Sequence, residues 1–300
     1  NLSAGSELID QNIDPVPRGS EAPWKKALHK FGRDRFGLIS VAIVGLYFVV
    51  ALGVWFGVWG QEWSQNKGPM FGSPSSEYWF GTNIIGQDIF ERALYGTKTA
   101  FEIGLVVAVL STFLGAILGA LSGFYNNKWT DEIILWLMGV LDSIPFYLFV
   151  AAIAFALEGF VYAMHVAMIS TFWTITARFV RGEVIKLKNL EFVEAARALA
   201  VPEFVIIFRH VIPNTSHILL VQATITFVSA IKSEVILSFL GLGVKEGVSW
   251  GLMISESTAE VQAGQFGNFI TASVFLFGLV MAFNMFSDSL QDALDPKKVS

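Results

Sequence analysis

The chain has 300 residues and a formal net charge of −5; 54% of its residues are hydrophobic and only 15% are charged. Soluble domains carry about a quarter charged residues, so this composition indicates an integral membrane protein. The small negative charge gives no indication of nucleic-acid binding, and the lack of cysteine excludes disulfides, thiolate metal sites and thiol catalysis.

The first 36 residues are polar and contain six Lys and Arg residues. No short apolar segment with a small-residue cleavage site follows them, so no signal peptide is predicted. Residues 1–36 are interpreted as an arm outside the membrane, followed by a first transmembrane helix at 37–58.

Six apolar stretches are long enough for a helix to cross the bilayer core, which takes about 20 residues. They are Leu38–Val58, Phe101–Gly123, Ile133–Leu157, Gly159–Thr176, Ile218–Leu240 and Phe269–Phe286. The sequence therefore predicts an all-α polytopic membrane protein with six transmembrane helices and both termini on one side. Of the 20 Lys and Arg residues, 15 lie on the side of the termini and four in the opposite loops. Because cytoplasmic loops are richer in Lys and Arg, both termini are predicted to be cytoplasmic.

Two connections are too long to be simple turns. The first, at 59–100, is rich in aromatic residues and is external in this topology. The second, at 177–217, is cytoplasmic and interrupts a core transmembrane domain at 101–287, which a cytoplasmic tail at 288–300 follows. Function in membrane proteins is often found in such connections.

The sequence of the cytoplasmic connection predicts two short amphipathic helices. Asn189 is expected to cap the first, over 190–199, and Pro202 to lie in the first turn of the second. The first helix has an apolar face, made of Phe192, Ala195, Ala196 and Leu199. An apolar face outside the membrane needs a partner, and docking of a helix into a groove meets that need. The alternative is an amphipathic loop that rests on the bilayer surface.

Several motifs resemble one family of transport proteins. The run from Glu194 to Ala200, which continues to Pro213, resembles the EAA signature of bacterial ABC importer permeases. An external motif resembles the stretch before the second span in dipeptide and oligopeptide permeases of the C type; it contains Gly81, Thr82, Gly86 and Asp88. Further runs at 177–183, 237–243, 250–253 and 292–296 match the same family. The resemblance covers about residues 25–298, in the family's order.

The resemblance implies a type I ABC importer permease fold in a bacterial cytoplasmic (inner) membrane. In such importers two permease subunits, usually different chains that form a heterodimer, build the translocation pathway within the lipid. Two ATPase subunits bind ATP and Mg²⁺, and an external solute-binding protein delivers the cargo. This chain would therefore bind no cofactor and would not be an enzyme. The cargo would be peptides or peptide-like solutes, with a nickel chelate or a sugar as the alternative.

The same resemblance makes the cytoplasmic connection a coupling segment that contacts an ATPase subunit. In that segment Glu194 and Arg197 would make polar contacts. Ala195 and Ala196 would permit close approach, and Ala200 and Pro213 would shape the turns. The family usually has Gly where this chain has Ala200, so a left-handed conformation there would cost about 1 kcal/mol; alternatively, the helix continues to Val201. The family also has Asp and Arg where this chain has Asn83 and Gln87, which suggests a lost ion pair.

Three ionisable residues within the predicted spans are candidates for the translocation pathway. Lys232 and Glu234 lie two residues apart in the fifth span, so they point in different directions. Such residues line cavities or pair between helices, and a lysine can also extend to the bilayer surface. His165 in the fourth span is the third candidate; the alternative is an interior histidine with satisfied hydrogen bonds. The four histidines lack metal-ligand spacing, so no metal site is predicted.

Other functional classes fit the sequence less well. A phosphate-binding loop would need a complete Gly-rich motif after a strand, and Gly96–Thr99 supplies only its end. An intramembrane serine protease is disfavoured because Ala120–Gly123 lacks the first Gly of the nucleophile loop and the sixth span has no histidine base. A secondary transporter would be expected to show repeated halves and interrupted helices at the midplane of the membrane, neither of which the sequence indicates. It would also leave the coupling segment unexplained.

Overall fold

The computed structural model describes residues 23–157 and 159–294. The start of the predicted N-terminal arm, residues 1–22, and the end of the predicted tail, residues 295–300, lie outside the described residues. The described chain folds into helices joined by loops: α1 (Pro23–Phe31), α2 (Arg35–Trp55), α3 (Ile89–Phe124), α4 (Trp129–Ser143), α5 (Phe146–Ala156), α6 (Ala163–Leu187), α7 (Glu191–Ala198), α8 (Glu203–Val205), a π-helical turn (Ile206–Val211), α9 (Ile212–Asn214), α10 (Ser216–Phe239), α11 (Trp250–Gln262) and α12 (Gly267–Leu294).

Four of the described helices, α2, α3, α10 and α12, are long and apolar enough to cross a membrane. The α4–α5 pair brings the number to five if it counts as one span. The prediction of an all-helical membrane protein is thus confirmed. The second long helix begins at Ile89 rather than at Phe101, so the end of the predicted external loop belongs to α3.

The predicted third span, Ile133–Leu157, is not one straight helix. The chain bends by 94° between α4 and α5. Ile144 has an extended conformation, with φ −96° and ψ 131°, and Pro145 follows it. Proline has no N–H to donate and disfavours the helical conformation in the residue before it. The helix therefore ends at Ser143 and restarts at Phe146.

The predicted fourth span also differs, because α6 begins at Ala163 and continues to Leu187 rather than covering Gly159–Thr176. It is not among the helices apolar enough to cross a membrane by composition. Much of its surface is buried against α3, with which it forms the most extensive helix–helix contact of the described chain. Buried positions on α6 carry Thr and His residues, which lower its hydropathy.

Three glycines at a four-residue spacing allow α3 and α6 to approach closely. A Cβ at Gly115 would lie 2.6 Å from Thr176 Cβ, and one at Gly119 would lie 2.5 Å from the Ala177 carbonyl oxygen. Small residues at this spacing are how membrane helices bring their backbones together. Gly123 repeats the contact one turn further on, at the Arg181 carbonyl oxygen.

Irregular segments cluster at the two ends of the bundle. One end holds residues 56–88 and the 240–266 connection with α11, and is called the long-loop end. The other holds α1, the turn between α3 and α4, and the segment from 188 to 215, and is called the short-helix end. Between them, the stacked rings of Phe227 and Phe283, 3.9 Å apart, join α10 to α12, and Phe101 of α3 packs on both rings.

Candidate functional site

The predicted coupling segment forms two helical pieces at the short-helix end. Leu190, in extended conformation, precedes the first residue of α7. The prediction that Asn189 caps this helix is wrong, because its amide donates instead to the Ile185 carbonyl oxygen at 3.4 Å. The second piece begins at Glu203, so Pro202 immediately precedes it rather than lying in its first turn as predicted. It runs through the π-helical turn to Asn214.

Pro213 explains the π-helical turn before it. A proline inside a helix cannot donate to the carbonyl four residues earlier, and its ring collides with that carbonyl. The helix widens just ahead of it, and the Ile212 N–H bonds to the Ile207 carbonyl oxygen. The segment then ends at Asn214, so Pro213 shapes the entry of the chain into α10.

Ala200 resolves the alternatives left by the sequence: α7 ends at Ala198, and Ala200 has a left-handed conformation with φ +55°. The Val201 N–H donates to the Ala196 carbonyl oxygen at 3.0 Å, and the Ala200 N–H donates to the Arg197 carbonyl oxygen at 2.9 Å. These two bonds form a Schellman motif, which usually has Gly in the left-handed position. The helix therefore stops in a fixed turn rather than continuing to Val201.

One face of α7 is packed against the bundle. Val193 is fully buried, and Ala196 and Val201 pack around it in one apolar cluster with Val184 of α6 and Phe124 of α3. The Arg197 guanidinium lies over the Phe124 ring, 5.2 Å from its centroid. The four residues of the predicted apolar face therefore do not share one surface, because Ala196 faces the bundle.

Other apolar side chains of α7, α8 and the residues next to them are exposed, and are together called the exposed coupling face. Leu199 is 79% exposed and Phe204 is 67% exposed. Leu190, Phe192 and Ala195 complete this face. Glu194 is exposed beside it, and its carboxylate forms no hydrogen bond or ion pair within the described chain. Large apolar side chains that share an exposed face indicate a surface for a partner.

A buried ion pair, missed from the sequence, fixes the helices beneath this segment. Asp131, in the first turn of α4, is 1% exposed and accepts two hydrogen bonds of 2.8 Å from the guanidinium of Arg181 on α6. Ser122 of α3 also donates to Asp131, at 2.5 Å, and Asn126 accepts from Arg181 at 2.9 Å. A bidentate pair of this kind holds three helices in one orientation.

At the long-loop end, the external motif builds a tight loop and starts α3. Gly81 and Gly86 have positive φ values of 78° and 79°, and an added Cβ on either would collide with a backbone carbonyl. The Thr82 hydroxyl donates to the Pro69 carbonyl oxygen and accepts from the Gly72 N–H. Asp88 caps α3 by accepting from the Phe90 N–H at 2.8 Å. Their contacts make all four motif residues part of the loop's own framework.

The two uncharged replacements in this loop contact each other. The Asn83 side-chain amide donates to Gln87 Oε1 at 3.0 Å, and Arg92 of α3 donates to the same oxygen. Arg92, only 3% exposed, also pairs with Glu256 of α11. Burial raises the pKa of Glu256, and the charge of Arg92 opposes that rise. The amide pair thus occupies the place where the family pattern suggested an ion pair.

This network ties the loop to α11, a helix that the sequence did not predict. The Ile84 N–H donates to Glu260 Oε1 at 3.0 Å, and the Trp250 indole donates to the Ala93 carbonyl oxygen of α3 at 2.9 Å. The only sequence signal for α11 was a family match at 250–253. Its 13 residues are too few to cross a bilayer.

The pathway candidates on α10 point in different directions, as their spacing predicts. Glu234 is buried, and its Oε1 accepts hydrogen bonds of 2.5 Å from Ser238 and from Ser249, which caps α11. This geometry supports inter-helix pairing for Glu234. Lys232 lies on the exposed face with Ile225 and forms no ion pair within the described chain.

His165 differs from a satisfied interior histidine. It is 7% exposed, and neither ring nitrogen has a hydrogen-bond partner. Tyr162 packs edge-on against its ring, with centroids 5.5 Å apart. Among the described residues, no group of three or more His, Asp or Glu side chains could hold a metal ion.

Comparison with known proteins connects this architecture to a family. Residues 111–300 match the family described as binding-protein-dependent transport system inner membrane component. The chain is 33% identical over 290 residues to the oligopeptide transport system permease protein OppC of Bacillus subtilis, covering 95% of this chain and 93% of that protein. It is 31% identical over 293 residues to the dipeptide transport system permease protein DppC of the same organism, with coverages of 96% and 90%.

A third relative carries a different name. The glutathione transport system permease protein GsiD of Escherichia coli is 32% identical over 287 residues, which cover 94% of this chain and 93% of that protein. All three alignments span nearly the whole of both proteins. The chain therefore belongs to the inner membrane components of binding-protein-dependent transport systems, as an ABC transporter permease of the oligopeptide and dipeptide type.

Proposed function

We propose that this chain is one of two permease subunits of an ATP-driven importer, and that it couples to an ATPase subunit through the exposed coupling face. The observation that carries the proposal is the division of α7 into two faces. Val193 anchors the helix on the bundle, while Leu199 and Phe204 are left for a partner. Separate ATPase subunits would hold ATP and Mg²⁺, so this chain itself would be non-catalytic.

The short-helix end is cytoplasmic in this proposal, and the long-loop end faces the binding protein. The excess of Lys and Arg on the side of the termini supports this orientation. The bent α4–α5 pair and α6 would complete six spans, with α6 shielded from lipid by its contacts with other helices. The membrane would be the bacterial inner membrane.

Coupling would proceed by rigid-body movement. A push on α7 reaches α3 and α6 directly, because Val193 lies in one apolar cluster with Phe124 and Val184. The Asp131–Arg181 pair makes α4 move with them. Tightly packed helices switch between discrete packings rather than deforming continuously, which suits alternation between outward and inward states.

The cargo is proposed to be a peptide or a peptide-like solute. The relatives are named for oligopeptide, dipeptide and glutathione transport, and glutathione is itself a small peptide. A nickel chelate or a sugar remains the alternative cargo. A second permease chain and an external solute-binding protein complete the proposed importer.

The coupling proposal is tested by charging the exposed coupling face. Leu199→Asp is expected to remove bound ATPase subunits during copurification and to lower cargo-stimulated ATP hydrolysis about tenfold, since a buried unpaired carboxylate is costly. Leu28→Asp is the matched control, because Leu28 is 64% exposed on α1 at the same end. A Leu199→Asp variant that retains its ATPase subunits and full hydrolysis would contradict the assignment.

A further inference from the structure

Lys232 is a charged side chain on the exposed side of an apolar membrane helix. It recurs with Ile225, Ser229 and Ile236 at intervals of three or four residues, so the four side chains share one side of α10, called the α10 stripe. Lys232 lies seven residues before Phe239, the last residue of α10, which is about 10 Å along the helix axis. Because α10 is about 36 Å long and the hydrocarbon core is about 30 Å thick, Lys232 lies within the core.

Lys232 has no acidic partner within the described chain. Its ammonium forms none of the ion pairs found there. Glu234, the acidic residue of α10, points into the bundle and accepts hydrogen bonds from Ser238 and Ser249. A charged side chain at this depth is costly in lipid and normally faces protein or water. Lys232 is therefore expected to receive its partner from another molecule.

The other long apolar helices of the described chain expose no charge where they would meet lipid. Every exposed side chain is apolar on α2 from Phe36 to Trp55, on α3 from Leu105 to Phe113 and on α12 from Phe269 to Met281. Such surfaces suit lipid tails, whereas a surface that contains a lysine does not. The α10 stripe thus marks a side of the bundle that differs from its lipid-facing sides.

The side of α10 that carries the stripe continues into a concave surface toward the short-helix end. A depression of about 570 Å³ is formed there jointly by α6, α10 and α12. Its lining includes the apolar residues Phe179, Val221 and Leu294 and the polar residues His217, Gln222 and Gln291. Val221 precedes Ile225 by one helical turn, so the depression and the stripe form one elongated surface. A surface of this shape on a helical bundle suits a helix of a partner.

We propose that the α10 stripe packs against a membrane helix of the second permease subunit, and that a carboxylate of that helix pairs with Lys232, an inference that rests on the two-permease arrangement proposed above. The ammonium and the carboxylate satisfy each other within the hydrocarbon core. A helix without an acidic residue at this level leaves Lys232 unpaired, so the ion pair selects the correct partner chain.

The first experiment joins Lys232 chemically to its partner. The complete importer in membranes, with both permeases, the ATPase subunits and the binding protein, is treated with a membrane-permeant carbodiimide, which condenses an amine and a carboxylate in contact into an amide. Mass spectrometry of the digested complex is expected to show Lys232 joined to an Asp or Glu of the second permease. Lys67 and Glu62, whose side chains are 3.1 Å apart in this chain, are the positive control.

The second experiment measures what the ion pair contributes to assembly. Lys232→Met is expected to raise the dissociation constant of the two permeases in detergent about tenfold, because it leaves the partner's carboxylate buried and unpaired. Lys232→Arg keeps the positive charge and is expected to bind the second permease as the wild type does. Lys67→Met is the matched control, because it removes an exposed lysine outside the α10 stripe and should leave the dissociation constant unchanged.

The outcomes separate this inference from the function on which it rests. A Lys67–Glu62 product without a product between Lys232 and the second permease would overturn the ion pair and would indicate that Lys232 extends to the lipid headgroups. A product that joins Lys232 to a carboxylate of its own chain would also overturn it, as would an unchanged dissociation constant for Lys232→Met. A wild-type chain that purifies with its ATPase subunits but without a second permease would overturn the two-permease arrangement itself.

Discussion

Ala200 has a left-handed backbone conformation that Gly adopts without steric cost. Replacing Ala200 with Gly should therefore increase stability. Ala200→Gly is expected to stabilise the end of α7 by about 1 kcal/mol, because it removes the Cβ from a left-handed residue. Amide hydrogen exchange of residues 191–201 should slow about fivefold. Ala198→Gly is the control, since Ala198 is the last residue of α7 and Gly there is expected to weaken the helix. Faster exchange in Ala200→Gly would contradict the left-handed turn.

The spacing of two residues along a helix predicts whether their side chains point in the same direction, but not which residues they contact. The separation of Lys232 and Glu234 predicted that they point in different directions, and in the structure Lys232 is exposed and Glu234 is buried. The partner of Glu234 could not be predicted, because Ser249 reaches it only after the chain turns back toward α10. Asp131 and Arg181 are 50 residues apart, so their pair likewise depends on how α3, α4 and α6 assemble. The roles of Glu194 and Arg197 toward an ATPase stay predictions.

Because α3 packs closely on α6, adding one methyl group is expected to lower the stability of the protein at one glycine but not at another. A Cβ at Gly119 would lie 2.5 Å from the Ala177 carbonyl oxygen, so the two helices would have to separate. Gly119→Ala is expected to lower stability by about 2 kcal/mol, as overpacking does in cores. The measurement is the thermal midpoint of the purified protein in detergent. Gly139→Ala is the control because its Cβ would meet nothing within 4 Å, and equal midpoints for the two variants would contradict the packing.

Helices that are marked by a long apolar run in the sequence were predicted well. Helices whose position depends on contacts with other parts of the chain were not. Long apolar runs gave α2 and α10 within a few residues, whereas α12 continues past the predicted Phe286 to Leu294, into the predicted tail at 288–300. Pro145 is a local breaker, yet hydropathy alone does not reveal the 94° bend that it marks. The short helix α11 has little hydrophobic signal of its own and is positioned by bonds from Trp250 and Glu260. Such helices are fixed by tertiary contacts rather than by propensity.

The long-loop end and the short-helix end lie at opposite ends of the long helices. They are therefore predicted to lie on opposite sides of the membrane. In α2 and α3 the chain runs from the short-helix end to the long-loop end and back. An apolar helix with many Lys and Arg residues on one flank keeps that flank in the cytoplasm. Residue 67 should therefore be external, and residues 28 and 188 should be cytoplasmic.

The natural sequence has no cysteine, so single cysteines report the side of the membrane without background labelling. A membrane-impermeant maleimide applied to intact cells, with access through the outer envelope, is expected to label Lys67→Cys, whose native side chain is 58% exposed. Lys188→Cys should react only after the membrane is opened, and Leu28→Cys should behave in the same way, because an even number of spans returns the chain to one side. Labelling of Leu28→Cys and Lys188→Cys from opposite sides would require an odd number of spans between them. That result would contradict the proposal that the α4–α5 pair and α6 each cross the membrane.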